Sequence, residues 1–176
     1  MALTKVIGDG VGTLASATIT AATISNQLTP ANLPVGSVVQ TIYASTDTAV
    51  TNNTGTLADT GLTAAITPTS SSNKILVTVM QNGVYKDQNA ATGMEIQLFR
   101  GSTRISYLGR RAGGDNGTGT AATMSIGTVG VSILDAPNTT SATTYKTQFF
   151  STSNASSVYV QIYTCDSTIV LQEIVI

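Results

Sequence analysis

The run that most constrains the fold is the C-terminal Thr168 to Ile176, TIVLQEIVI. Read as a strand, it places Ile169, Leu171 and Val175 on one face and Val170, Ile174 and Ile176 on the other. Side chains alternate across a strand, so a strand apolar on both sides must be covered on both. In a chain of 176 residues, the expected second cover is another copy of the same protein. Just upstream, Val158, Val160 and Ile162 alternate with Tyr159, Gln161 and Tyr163, the period of a half-buried strand. Polar turns at 153–156 and 165–167 bound that strand, and Thr143 opens a third one before it.

The same reading extends backwards through an all-β chain. Ser37 to Ala44, Leu57 to Thr67, Lys74 to Asn82, Gly93 to Arg100, Arg104 to Leu108 and Thr123 to Asp135 are predicted strands. Lys74–Asn82 repeats the two-sided pattern: Ile75, Val77 and Val79 on one face, Leu76 and Met80 on the other. Met94, Ile96 and Leu98 are expected inward, with Glu95 and Gln97 outward. Gly101-Ser102-Thr103 is a predicted hairpin turn, Gly127 and Gly130 a predicted bulge or bend, and 109–122 the longest predicted loop. With 31 Thr and 17 Ser, the composition suits pleated, half-solvated surface. The fold class expected is an antiparallel β-sandwich spanning 37–176, with jelly-roll winding favoured and an immunoglobulin-like order as the alternative.

Residues 1–36 differ from the rest. They hold no aromatic side chain, and Leu14, Ile19, Ile24, Leu28 and Leu33 recur at steps of about five. Small residues precede most of them (Gly12, Ala17, Ala22, Ala31). A narrow β-structured stalk shared by several chains, or an extended arm lying on a neighbour, would each use this spacing. Pro30, Pro34 and Gly36 mark the boundary.

Several chemistries are disfavoured. The net charge is −1 and the few basic residues are scattered, so there is no stripe to neutralise phosphates of a nucleic acid. There is no His, and the single Cys165 supports neither a disulfide nor a cysteine-based zinc cluster. The two Glu residues, Glu95 and Glu173, lie in separate strands, and the Asp residues sit beside turns, where Asp caps backbone. Gly8-Asp9-Gly10-Val11-Gly12 follows no strong strand and precedes no helix, so it is not read as a phosphate loop. No catalytic residue, cofactor or metal ligand is assigned. MALTKVIGDG lacks a signal-peptide core and no run is long enough to span a membrane, so folding in a cytoplasm without membrane insertion is expected. Two candidate surfaces remain. Tyr107, Arg110, Arg111, Asp115 and Asn116 form a candidate receptor or partner loop, since Arg and Asp can bond sugar hydroxyls and Tyr can stack on a sugar face. Leu76, Met80, Val170, Ile174 and Ile176 form a candidate subunit interface.

A resemblance extends this reading. MALTKV, LPVGSVVQTIY, TDTAVTNNTGTLADTGLTAAITPTSSSNKILV, IQLFRGSTRI, TSATTYKTQF and STIVLQEI are similar to segments of small virion proteins of tailed bacteriophages. They look most like the C-terminal β-domain of tail fibres, including those of marine and cyanobacterial phages. The resemblance implies a non-enzymatic homotrimer in the virion, assembled in the bacterial cytoplasm. Its N-terminal arm would attach to other virion proteins, and its outward β-domain would face a host-surface glycan. Capsid decoration (cement) proteins that stabilise the phage head share this architecture and give the alternative. A lectin-like carbohydrate-binding module is the second.

Overall fold

The structure is a computed structural model that describes residues 33–87, 92–112, 124–153 and 156–176. The predicted arm before residue 33, and Asp115 and Asn116, lie outside the described residues. The described residues form ten strands: β1 (Val38–Thr46), β2 (Val50–Asn52), β3 (Ala58–Ile66), β4 (Lys74–Lys86), β5 (Met94–Arg100), β6 (Thr103–Ala112), β7 (Met124–Asp135), β8 (Thr143–Ser151), β9 (Val158–Val160) and β10 (Ser167–Ile174). Every pairing is antiparallel. One sheet runs β1–β10–β4–β7, and the other β3–β8–β5–β6. The predicted all-β sandwich is therefore present.

The longest strand, β4, organises the first sheet. β7 pairs along one edge of it from Ile75 to Lys86. The other edge takes β10 from Lys74 to Met80 and then β9 at Tyr85 and Lys86. β2 pairs with β9, as β1 does with β10. The change of partner falls at a break. The predicted strand 158–163 ends at Val160, because Gln161 turns left-handed (φ 55) into a short 3-10 turn over Ile162–Thr164. Tyr163 and Thr164 are left-handed too. Such conformations cost about 1 kcal/mol or more for residues with a Cβ. Gly83 faces the turn: a Cβ there would lie 2.6 Å from the Ile162 nitrogen, so only glycine admits the approach. Gln161, expected outward, is fully buried, and both polar atoms of its side chain lack a hydrogen-bond partner among the described residues.

Alternation places Ile75, Val77, Val79, Ile169 and Leu171 of the first sheet against Leu62, Ile66, Leu98 and Tyr145 of the second, all but closed to solvent. A second cluster gathers Val84, Met94, Ile96, Phe149, Val158 and Val160. Each such side chain contributes roughly 1.5–3 kcal/mol by burial. A buried polar chain also crosses from one sheet to the other. Thr60 and Thr147 share a hydrogen bond, the Thr147 hydroxyl donates to Gln81 Oε1 (2.9 Å), and Gln81 Nε2 donates to Ser167 Oγ (2.9 Å). Ser167 also accepts from the Asn82 N–H (2.9 Å). A network satisfied in this way fixes the relative register of the sheets, because sliding either one leaves buried donors unpaired.

Polar clusters pin the end of the sandwich where the described chain begins. The buried Glu173 carboxylate accepts from Gln40 Nε2 (2.7 Å), Asn73 Nδ2 (2.7 Å), and the Thr69 N–H and hydroxyl (2.8 Å each). Burial by itself would raise its pKa, but the hydrogen bonds from Gln40, Asn73 and Thr69 outweigh that and hold it below the usual carboxylate value. Asp135, read from sequence as a turn cap, instead accepts from Arg100 Nη1 (2.8 Å) and from the Tyr145 hydroxyl (2.7 Å). It thereby joins β7 to β5 and β8. Because Glu173 is harder to protonate folded than unfolded, its contribution to stability is full above the unfolded value of about 4.3 and is lost as pH falls through the folded value. Replacing Glu173 by Gln sets an amide among committed donors. We expect a loss of about 2 kcal/mol at neutral pH and a flatter stability profile below pH ~4.5, measured by urea unfolding across pH.

Candidate functional site: two outer faces of opposite character

The outward side chains of the first sheet follow from its register. Reading across β1, β10, β4 and β7, one row is Thr41, Gln172, Leu76 and Leu134, the next is Tyr43, Val170, Thr78 and Ser132, and the next is Ser45, Thr168, Met80 and Gly130. Ile174 lies beside Lys74 at the end of the same face. Lys74 is the single charge on this face among these residues. Tyr43 (63% exposed), Leu134 (50%) and Met80 (43%) are open to solvent, and Leu76, Val170 and Ile174 are half-buried. Four of the five predicted interface residues thus share one face, while Ile176 is exposed just past the end of β10. None is sealed in the core. Tyr43 and Leu134 belong to this face but escaped the sequence reading. Their strands pair with β10 and β4 only in the folded chain. A Cβ at Gly130 would come within 2.8 Å of the Met80 sulfur, so the glycine leaves room for Met80 to lie across the sheet.

The outer face of the second sheet carries charge. Glu95 and Gln97 point outward as expected, and Phe99 with them, yet all three are almost fully buried. Phe150, Gln148 and Lys146 of β8 stand opposite them on one side, and Tyr107 and Arg104 of β6 stand opposite Gln97 and Phe99 on the other. Gln97 Nε2 donates to Glu95 Oε1 (2.6 Å), and Arg110 Nε lies 3.4 Å from Glu95 Oε2. Lys146 pairs with Asp59 at 2.8 Å and holds the Asp59 carboxyl below its usual pKa. The guanidinium carbons of Arg104 and Arg110 lie 4.4 and 4.7 Å from the centre of the Tyr107 ring. Tyr107, proposed from sequence as a sugar-stacking surface, is thus a platform for two arginines.

Beside this stack, β6 continues to Ala112, further than the predicted Leu108. Its end forms a cleft with β8, lined by Glu95, Arg110, Arg111, Phe150, Thr152 and Ser153. Arg111 is left-handed (φ 50), and its backbone presses on Gly93, where a Cβ would sit 2.9 Å from the Arg111 Cα. Thr152 accepts from the Gly93 N–H (3.1 Å), and the Ser153 and Thr92 hydroxyls share a hydrogen bond of 2.8 Å. Of the candidate loop residues, the structure brings Arg110 and Arg111 into this one cleft. Phe150 and Glu95 were missed as members of it, although the alternation of Lys146, Gln148 and Phe150 along β8 signals that an aromatic ring faces outward. Among the described residues, no group of three or more His, Cys, Asp or Glu could hold a metal ion.

Comparison with known proteins adds no assignment: no family model matches the chain, and no curated protein matches it. The geometry of the stack yields its own expectation. Tyr107→Leu removes the ring that holds both guanidiniums and should lower stability by about 1 kcal/mol. Arg104→Ala should cost less than that, both read as shifts of the urea midpoint.

Proposed function

We propose that the protein is a non-enzymatic structural component of a tailed-phage particle, a homotrimeric, tail-fibre-like unit. The observation that carries this reading is the outer face of the first sheet. An isolated chain leaves Tyr43, Met80 and Leu134 in water on a face whose outward residues include one charge. Exposed apolar side chains gathered on one face, with Val170 and Leu76 half-buried between them, mark an association site. A copy can cover it without meeting like charges, and burial would contribute about 25 cal/mol per Å².

The polarity of the sandwich supports the outward orientation. The N-terminal connection runs into β1 beside the C-terminus: the Gly36 N–H donates to the Val175 carbonyl (2.8 Å), and the Val175 N–H to that of Ser37 (3.0 Å). The cleft of Arg110 and Arg111 lies at the opposite end, where Met94 of β5 pairs with Ala112 and Ser151. A unit attached through its N-terminal segment would therefore present that cleft away from the attachment. The strand orders β1–β10–β4–β7 and β3–β8–β5–β6, with crossings between the sheets from β3 to β4, β4 to β5, β6 to β7 and β7 to β8, support jelly-roll winding as the finer description of the fold.

Light scattering tests the assembly: the full chain should have close to three times its 18.0 kDa mass. A Met80→Asp, Leu134→Asp double variant should dissociate, whereas Arg110→Ala should not. A monomeric parent protein, or dissociation by Arg110→Ala alone, would overturn the reading. Electron microscopy of labelled particles separates a fibre position from a place on the head lattice, the position of a decoration protein.

A further inference from the structure

We infer that the cleft at the end of β6 and β8 binds an acidic saccharide, with Arg110 and Arg111 holding its carboxylate. The inference deepens the outward-end reading above and rests on it for its biological setting. In a regular strand, consecutive residues point to opposite faces, so Arg110 and Arg111 would diverge. The left-handed conformation of Arg111 breaks that alternation, and both residues line one cleft. Arg111 is exposed and has no acceptor among the described residues. Arg110 has one long contact, through Nε to Glu95, which leaves its terminal N–H groups unused there. The Tyr107 ring beneath Arg110 orders its guanidinium in advance, which reduces the entropy lost when a ligand binds. Two adjacent guanidinium forks suit a planar, bidentate acceptor such as a carboxylate.

The remaining lining narrows the ligand class. Phe150 offers a half-buried aromatic surface, which suits the C–H face of a pyranose ring. Thr152 and Ser153 supply hydroxyls that exchange hydrogen bonds with a polyol. Glu95 is the discriminating residue. Its carboxylate repels a bare polyanion but accepts hydrogen bonds from hydroxyls placed next to the ligand's acid group. A sugar acid satisfies all of these together, whereas inorganic phosphate or a neutral sugar satisfies only some.

The test uses the full chain with a galacturonate trisaccharide and N-acetylneuraminic acid as acidic probes and the galactose trisaccharide as neutral control. Binding is followed by saturation-transfer NMR and calorimetry at low and high salt. The expected result is saturable binding of an acidic probe, at least about tenfold tighter than the neutral control and weakened by salt. Arg111→Ala should weaken it about tenfold or more with an unchanged melting curve, since the residue is exposed. Phe150→Ala should weaken acidic and neutral probes alike. Failure of both acidic probes to saturate, equal affinity for acidic and neutral sugars, or parent-like binding by Arg111→Ala would each overturn the inference. Competition of the soluble protein with phage adsorption separates it from the reading beneath. Adsorption blocked equally by parent and Arg111→Ala leaves the outward role standing and removes the cleft. Sugar binding without any block of adsorption retains the cleft and removes the outward role.

Discussion

The fold depends on β4. A single strand of Lys74–Lys86 is hydrogen-bonded along both edges, and on one edge it serves two partners in succession. Where β10 gives way to β9, the backbone of Gly83 closes on the turn at Ile162, and the Gln81 side chain reaches across to Ser167 on its own sheet and Thr147 on the other. Ladder, turn and core network thus converge within three residues of one strand. Buried donors and acceptors must be paired, so this convergence fixes sheet register and sandwich alignment together. The non-local character of these pairings, with Ser167 and Gln81 far apart in sequence, means that most of the entropy of chain closure is lost before the network can form.

From that alignment follows the contrast between the two outer faces. Inward positions on both sheets are filled with aliphatic and aromatic side chains, which leaves the outward positions free to differ. On the first sheet they are hydroxyl, amide and apolar groups around one lysine. On the second they form an ion-paired, arginine-rich layer that covers β5. Each surface is consistent within itself. In the rows across β1, β10, β4 and β7 the apolar face carries one charge, Lys74, and among the described residues the charged face has little open hydrophobic area that would promote contact with a copy. The two polar clusters at Glu173 and Asp135 close the end where the described chain begins and the C-terminus lies, and the arginine cleft occupies the other.

Much of this was legible residue by residue. Inside and outside were readable on β4, β5 and β10, because alternation is a local property of extended backbone. The apolar residues Leu76, Met80, Val170 and Ile174 could therefore be grouped, although their adjacency across strands could not be derived. The strand 158–163 was misread because Ile162 keeps the apolar alternation while the backbone leaves the sheet at Gln161. Pattern records side-chain type and is blind to a left-handed φ. The three-residue β2 escaped because it is too short to show a period. Asp135 was read as a turn cap when its partners Arg100 and Tyr145 come from other strands, and Tyr107 was read as an open ring when two arginines cover it.

What the amino-acid sequence determined by itself was the secondary-structure class, the inward sets of β4, β5 and β10, and the surplus of apolar side chains on outward positions. These need only neighbours along the chain, since propensity and alternation act over a few residues. Only the tertiary structure decided which outward residues share a face, that Arg110 and Arg111 turn into one cleft with Phe150 and Glu95, and that Gln81 links the sheets. Those relations join residues distant in sequence, and they exist only once strand pairing has set the register that brings them together.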